Sequence, residues 1–379
     1  MKQINPDVVA AYPITPQTEA VQMFSQFVAD GVVDTEFVTV ESEHSAMSAT
    51  VGASAGGARA MTATSANGLA LMWEVVYIAA STRLPIVMPV INRALSGPIN
   101  IHCDHSDAMG ASSSGWIQLF GENARVVYDN LIQAVRIAED ERVRLPVMVN
   151  MDGFIISHAV ENLQPLPDSD VRDFIGEYEP ERTLLDPDQP TTYGPLDLQD
   201  YYFEHKRQQV DGMENALQVV DEVAKEYAEL SGREYGYYSS YRLEDAEVAL
   251  IGLGSTMGTA RLAVDNLRQE GIKAGLCSLR LFRPFPAATL REALGHLKVL
   301  GVLDRADTFS LNGGQLYSDV RSALFAEGGD LEIVNYIYGL GGRDIAVDDL
   351  EEIFRELLAK KDGGKKADLP EVNYYGVRE

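Results

Sequence analysis

The sequence predicts an α/β chain of two domains, a helix-covered parallel sheet followed by a second, smaller α/β unit. Three observations carry this reading. The 379 residues exceed what one ordinary core holds. The first 160 alternate short apolar runs with helical stretches. That alternation restarts near residue 247, after an interval rich in Pro, Asp and Glu.

The elements follow in order. Val8 to Tyr12, Glu36 to Val40, Ala60 to Thr64, Ile86 to Ile91 and Val147 to Asn150 are apolar and β-branched enough to read as strands. Thr18 to Phe27 and Ala46 to Ala55 read as helices, with Gly31 just beyond the first. Thr15, Glu43, Ser65 and Arg93 each come shortly after a strand, at the edge where doubly wound sheets bind ligands. The stretch from Gln164 to Gly194 reads as a surface excursion, ordered by packing on a partner. Met213, Ala216, Leu217, Val220, Val223, Ala224 and Tyr227 then mark one amphipathic helix ended by Gly232. The second unit is predicted as strand Val248 to Gly252, helix Met257 to Gln269, and strands Ala274 to Leu279, Val299 to Leu303 and Ile333 to Ile337. The tail from Lys360 to Lys366 is charged, and Pro370 to Glu379 is expected to be an arm on a neighbour.

Composition narrows the function. A net charge of -26 opposes nucleic acid and anionic membrane surfaces, and it also disfavours docking of an acidic carrier on this chain. No apolar run approaches a membrane span, and the first residues lack a signal-peptide apolar region, so a cytoplasmic location is expected. Cys103 and Cys277 alone cannot hold a four-cysteine cluster, so any iron-sulfur chemistry must lie on other chains.

Two motifs invite chemistry and have plainer readings. Gly252-Leu253-Gly254-Ser255-Thr256-Met257-Gly258 follows a strand and opens a helix, as in a dinucleotide site. Its spacing is one residue off, and the next strand ends in Ser278, Leu279 and Arg280 without the acidic residue that would hold a ribose. A tight strand-to-helix turn is the simpler reading, against a nicotinamide dehydrogenase. His102-Cys103-Asp104-His105-Ser106-Asp107 offers metal donors, but no second ligand pair stands at suitable spacing, so a polar loop over the active site is favoured. Glu41 and Glu43, two apart at a strand end, are expected to share a face. Arg93 follows a strand expected to be buried on both faces, so an anion partner is favoured over a surface role.

Tyr12-Pro13-Ile14-Thr15-Pro16, Glu41-Ser42-Glu43-His44-Ser45-Ala46, Asn92-Arg93-Ala94-Leu95-Ser96-Gly97-Pro98 and Asp152-Gly153-Phe154 occur in an order and spacing that resembles the α subunit of pyruvate:ferredoxin oxidoreductases and related 2-oxoacid:acceptor oxidoreductases. Gly115-Trp116-Ile117-Gln118, Arg280-Leu281-Phe282-Arg283-Pro284-Phe285-Pro286 and Gly339-Leu340-Gly341-Gly342-Arg343-Asp344 extend the resemblance over nearly the whole chain. It departs from the family at Ser113-Ser114 and Arg125-Val126, and it lacks the family's helix before the first strand, which leaves the native start of the chain open.

The resemblance implies a pyrimidine-binding-like domain of thiamine-diphosphate enzymes over 1-232, with a long excursion at 159-207. A transketolase C-terminal-like domain over 240-350 and a tail over 351-379 would follow. It implies CoA-dependent oxidative decarboxylation of a 2-oxo acid, pyruvate first, with electrons passed to ferredoxin. An aromatic acid such as phenylglyoxylate, with NAD as final acceptor, is the alternative. A non-catalytic assembly subunit is disfavoured by the joint presence of Thr15, Glu43 and Arg93. By the same resemblance Glu43 serves the pyrimidine ring and Arg93 and Thr15 the substrate carboxylate, while Ser65, from its place at the same strand edge, is expected in the cofactor site. No Gly-Asp-Gly with a distant Asn occurs, so the diphosphate and its Mg2+ belong to a β subunit that shares thiamine diphosphate with this chain. Iron-sulfur and γ-type subunits would complete the complex, with coenzyme A as acyl acceptor.

Overall fold

The computed structural model describes residues 1–325, 331–363 and 370–378. In the first domain β1 (Val8–Ala11), α1 (Thr18–Ala29), β2 (Glu36–Thr39), α2 (Glu43–Ala55), β3 (Ala60–Met61), α3 (Ala66–Leu71), α4 (Trp73–Ser81) and β4 (Val87–Asn92) are followed by α5 (Ser106–Gly110), β5 (Ile117–Phe120), α6 (Ala124–Glu139) and β6 (Val147–Asp152). Then α7 (Asp168–Ile175) and the 30-residue α8 (Tyr202–Ser231) lead to the second domain. There β7 (Tyr238–Tyr241), β8 (Val248–Gly252), α9 (Thr256–Gln269), β9 (Ala274–Leu279), β10 (Leu281–Arg283), α10 (Ala287–Leu294), β11 (Val299–Asp304), α11 (Gln315–Phe325), β12 (Glu332–Ile337), α12 (Val347–Lys361) and β13 (Val372–Tyr374) complete the chain.

Two sheets result, ordered β10-β5-β6-β4-β3-β1-β2 and β13-β12-β11-β8-β9-β7. Pairing is parallel except for the edge strands β10 and β7. The buried strands β4, β8, β9 and β11 carry no exposed position, as parallel strands covered on both faces require. Their Val, Ile, Leu and Met side chains fill cores against α4, α6, α8, α9 and α12.

The chain leaves β9 at Leu279 and joins the first sheet two residues later, as β10 against β5. Arg280, in between, is buried and donates from Nε to Asn130 (2.7 Å), from Nη2 to Gln133 (2.9 Å) and from Nη1 to the Gly236 carbonyl (3.2 Å). Arg261 of α9 forks onto Glu122 beyond β5. The two sheets are thereby stitched at one edge.

Several expectations shift. The strand predicted over Ala60 to Thr64 shortens to two residues, because Ala63 turns its carbonyl to the Gln17 amide (2.9 Å) and Thr64 keeps only a single bridge to Val90. Glu41 and Glu43 do not share a strand face. The strand ends at Thr39, Ser42 caps α2 by accepting from Ser45 N, and Glu43 is the first helical residue. The excursion packs back on its own chain: Leu184 N donates to Ala55, and Gln3 donates to the Leu166 carbonyl and to Asp168. Likewise Val372–Tyr374 pairs with β12 of the same chain rather than reaching out to a neighbour. Lys365 and Lys366 of the predicted charged tail lie outside the described residues, as does Glu379.

Candidate active site

The C-terminal ends of β1, β3 and β4 gather the predicted side chains at one edge. Arg93 directly follows β4 and is only 7% exposed. Its Nε donates to the Asn100 carbonyl and its Nη1 to the Thr15 carbonyl, both at 2.9 Å. Its Nη2 has no partner among the described residues. A guanidinium this buried with a free donor can take an anion. Two of its three nitrogens are already tied to carbonyls, so the arginine enters the site with its orientation set.

Thr15 lies in the exposed turn after β1, with its carbonyl on Arg93 and its hydroxyl without a partner among the described residues. Glu43 opens α2, 7% exposed, and its carboxylate accepts no hydrogen bond among the described residues. A methyl group on Gly68 would lie 2.9 Å from Glu43 Oε1 and closer still to Thr64 Oγ1, so the glycine lets α3 close on both. The Thr64 hydroxyl is itself buried and unpartnered. Thr64 and Ile91 bond along the backbone (3.0 Å), which places Glu43 and its neighbours on the strand edge that carries Arg93.

Ser65 takes a different place. It is fully buried, and its hydroxyl donates to the Ile91 carbonyl at 2.6 Å, so it braces the edge rather than presenting an oxygen to the cleft.

The loop from His102 to Asp107 turns its acids inward. Asp107 accepts from the backbone N–H groups of Ala66 (2.9 Å), Arg93 (3.0 Å) and Ala108 (2.7 Å) and from the Asn92 amide (3.0 Å). Burial pushes its carboxyl up to about 6 despite these donors. It fixes the backbone of Arg93 and of the α3 entry together. Neighbouring Asn92 Oδ1 is buried without a partner.

Asp152, at the end of β6, has a role that no sequence signal predicts. His105 Nε2 stands 2.8 Å from its Oδ1. Ser255 donates to its Oδ2 from both backbone N (2.9 Å) and hydroxyl (2.5 Å), and Arg305 adds Nη1 at 3.1 Å. Burial opposes the charge, yet His105, Arg305 and Ser255 hold the carboxyl well below the usual range. Cys103 completes a trio of donor side chains with His105 and Asp152. The Asp152 carboxylate is spent on this clamp, burial beside acids raises the Cys103 thiol, and Arg305 brings a fixed positive charge, so the geometry favours an ion-pair clamp over a metal centre.

The glycine turn also has an anion, and it belongs to the protein. Gly254 has φ 72, and a methyl group there would lie 2.6 Å from Asp152 Oδ1. The strand-to-helix turn that invited a dinucleotide reading closes on a carboxylate of the first domain, as such turns close on phosphate.

The chain is similar to known proteins over nearly its whole length. Residues 1–225 match the family described as "Pyruvate flavodoxin/ferredoxin oxidoreductase, thiamine diP-bdg", and residues 246–350 match "Pyruvate:ferredoxin oxidoreductase core domain II". The chain is 58% identical to pyruvate synthase subunit PorA of Thermotoga maritima, covering 100% of this chain and 95% of that protein. It is 46% identical to the subunit of the same name in Methanocaldococcus jannaschii (94% and 91%) and 41% identical to ketoisovalerate oxidoreductase subunit VorA of Pyrococcus horikoshii (98% and 93%). Among solved structures, a 2-oxoglutarate:ferredoxin oxidoreductase from Magnetococcus marinus superposes with TM-score 0.71 at 20% identity. The match covers 94% of this chain and 63% of that one. A split-gene transketolase superposes with TM-score 0.53 at 14% identity, covering 94% and 93%. These two likenesses speak to fold.

Proposed function

The chain belongs to the pyruvate:ferredoxin oxidoreductase family, and from that premise we propose that it is the subunit presenting the pyrimidine and substrate-carboxylate side of a thiamine-diphosphate site in a multi-subunit enzyme. The reaction is the CoA-dependent oxidative decarboxylation of a 2-oxo acid, pyruvate first, to acyl-CoA and carbon dioxide, with two electrons leaving to ferredoxin. Similarity to pyruvate synthase subunits over the full chain supports pyruvate. The likeness to a ketoisovalerate enzyme makes a branched 2-oxo acid the first competitor, and the comparisons lend no support to the aromatic, NAD-linked alternative. A β subunit for the diphosphate and Mg2+, together with iron-sulfur and γ-type subunits, completes the assembly in this proposal. Among the described residues no helix is long and apolar enough to cross a membrane, and we place the complex in the cytoplasm.

The observation that carries the reading is the pairing of two buried, incompletely partnered charges at one sheet edge, Glu43 and Arg93. The residues fit the cofactor. A buried carboxylate without a donor, beside an unpartnered Thr64 hydroxyl and a glycine that leaves no room for a side chain, suits a protonated ring nitrogen. When bound, thiamine diphosphate would supply a nucleophilic carbon and an electron sink for the decarboxylation. Glu43 would share a proton with the pyrimidine nitrogen and so favour the tautomer suited to act as base. Arg93 Nη2 and the Thr15 hydroxyl hold the substrate carboxylate in a fixed direction for its departure, while the Asn100 and Thr15 carbonyls keep the guanidinium from swinging away.

The test is viologen reduction by the complete complex with CoA, comparing pyruvate, 2-oxoisovalerate, 2-oxoglutarate and phenylglyoxylate. Arg93→Ala should raise KM for the preferred acid and lower kcat/KM by about 10²–10³-fold. An intact, cofactor-loaded complex that reduces dye with none of these acids would overturn the assignment.

A further inference from the structure

The Gly339-Leu340-Gly341-Gly342 turn has no part in the chemistry above, although it belongs to the second domain and meets the first at Arg93's own support. Gly341 uses both of its backbone groups on the loop that follows β4. Its carbonyl accepts from the Asn100 side-chain amide at 2.9 Å, and its N–H donates to Asp104 Oδ2 at 3.1 Å. Asn100 is the residue whose backbone carbonyl holds Arg93 Nε. Its side-chain oxygen in turn accepts from His102 N at 2.7 Å, so every polar group of that side chain facing the loop is engaged. Asp104 is similarly spent, accepting from Ser106 N (3.0 Å) and Ser106 Oγ (2.6 Å).

Backbone shape shows why the turn is glycine. Gly341 and Gly342 have φ 61 and 82; a methyl group on the first would lie 2.5 Å from Asn100 Nδ2, and one on the second would run into His102 Cβ. A side chain at either place would push the loop off the turn, beyond any strain from the left-handed backbone. Elsewhere the loop is tied at its base, where Ala94 N donates to the His102 carbonyl (3.0 Å), Leu95 N to Ser106 Oγ (2.9 Å) and Ser96 N to Asn67 Oδ1 (3.1 Å), while Gly97, Pro98, Ile99 and Ile101 beside Asn100 are exposed. The turn makes the only hydrogen bond of the Asn100 side chain to the second domain among the described residues, and its loss leaves that side chain held by His102 alone.

We propose that Gly341 and Asn100 are positioning residues for the substrate carboxylate: the second domain clamps Asn100 through Gly341, and Asn100 aims Arg93. The proposal rests on the reading of Arg93 as the carboxylate-binding residue. It makes the second domain a determinant of substrate affinity through backbone groups of Gly341, and it gives the glycine-rich turn a function. A guanidinium displaced by the loss of one anchoring carbonyl keeps its charge but loses its direction, so binding of the 2-oxo acid weakens more than a later step on bound substrate.

The experiment uses the complete complex carrying Gly341→Ala, Asn100→Ala, both changes together, or Gly31→Ala. Gly31 shares the left-handed conformation, φ 66, with nothing near its would-be methyl group, and so controls for backbone strain alone. Gly341→Ala and Asn100→Ala should each raise KM for the 2-oxo acid about tenfold while leaving KM for CoA within about twofold, and the double variant should be no worse than the poorer single one. Gly31→Ala should leave both constants unchanged. Unaltered KM for the 2-oxo acid in Asn100→Ala, multiplicative losses in the double variant, or equal rises in both KM values would overturn the proposal. If Gly341→Ala fails to assemble, Asn100→Ala still decides it. The parent reading fails separately: Arg93→Ala with unchanged KM would remove the role of Arg93 itself, whereas a raised KM there with normal Asn100→Ala kinetics would sink this inference alone.

Discussion

The loop that follows β4 touches both domains, and the C-terminal edges of the two sheets treat most of their polar groups in opposite ways. The first edge leaves them open: the Glu43 carboxylate, Arg93 Nη2 and the Thr15 hydroxyl have no partner among the described residues, and Thr64 Oγ1 and Asn92 Oδ1 are buried and unsatisfied. The second edge spends them internally. Ser255 and Arg305 go to Asp152, and Asp304 takes the N–H groups of Leu316 (2.9 Å) and Tyr317 (3.0 Å) at the start of α11. Asn335 joins Asp304 at 2.8 Å. Unsatisfied buried polar atoms cost stability and persist where a ligand completes them. Similar architecture thus yields a reactive edge and a bracing edge, and the difference lies in which polar groups are left over.

The sharpest way to break that comparison is to remove charge on the open side. Glu43→Gln should lower kcat of the complex by about 10²–10⁴-fold, as loss of a proton-sharing group does, with little change in thermal midpoint because the carboxylate makes no internal hydrogen bond among the described residues. A drop of several degrees with kcat preserved would show Glu43 to be structural and the first edge no more open than the second.

Much of the open edge is legible because position along the chain announces it. A residue placed just beyond a buried apolar run, as Arg93 is two positions after Ile91 of β4, must sit at a strand end and under cover. The start of α2 is less legible: Ser42 caps it and places Glu43 in its first turn, yet the same residues read as a strand end, with helix only from Ala46. The bracing edge is far less legible. Hydrogen bonds between residues 103 or 241 positions apart, as from Ser255 to Asp152 and from Asn100 to Gly341, leave no periodic trace. The four-residue strand β5 is hidden for a related reason, being too short for its apolar alternation to stand out beside Gly115 and Trp116. β10 is three residues whose sheet is chosen by tertiary packing alone. The glycine turn at Gly254 makes a weak dinucleotide motif, but nothing in the sequence says that its anion is Asp152.

Removing the first-domain charge to which the braced edge is tied should instead damage folding. Asp152→Asn leaves His105 and Arg305 facing a neutral amide in a site that is almost fully buried, and breaking such a buried pair costs about 3–5 kcal/mol. The expected result is a lowered thermal midpoint of the complex and earlier loss of the second domain to proteolysis, with KM for the 2-oxo acid changed less than kcat per total protein. An unaltered midpoint would mean that Ser255 and Arg305 do not need the carboxylate, and the bracing role would fall.

The smallest effect tests the sign of a pH dependence. Burial pushes the Asp304 carboxyl up to about 7, against the pull of its backbone donors and Asn335. In the unfolded chain it would titrate near the ordinary value of about 3.9, so between about pH 4 and 7 the folded state holds more protons and stability falls as pH rises. Asp152 behaves in the opposite sense. Its depressed carboxyl contributes stability above the unfolded value, and that contribution is lost only as pH falls through its folded one. The amide introduced by Asp304→Asn would resemble the neutral acid at every pH, except that it cannot accept from both Leu316 and Tyr317 through two oxygens. The Asp304→Asn complex should therefore melt below wild type at pH 5, and the gap should shrink by pH 8 by an amount on the order of a degree or a few. A gap that instead widens toward pH 8 would show the ionised carboxylate to be a net stabilising cap for α11, so that the charge itself, and not only its hydrogen bonds, holds the braced edge together.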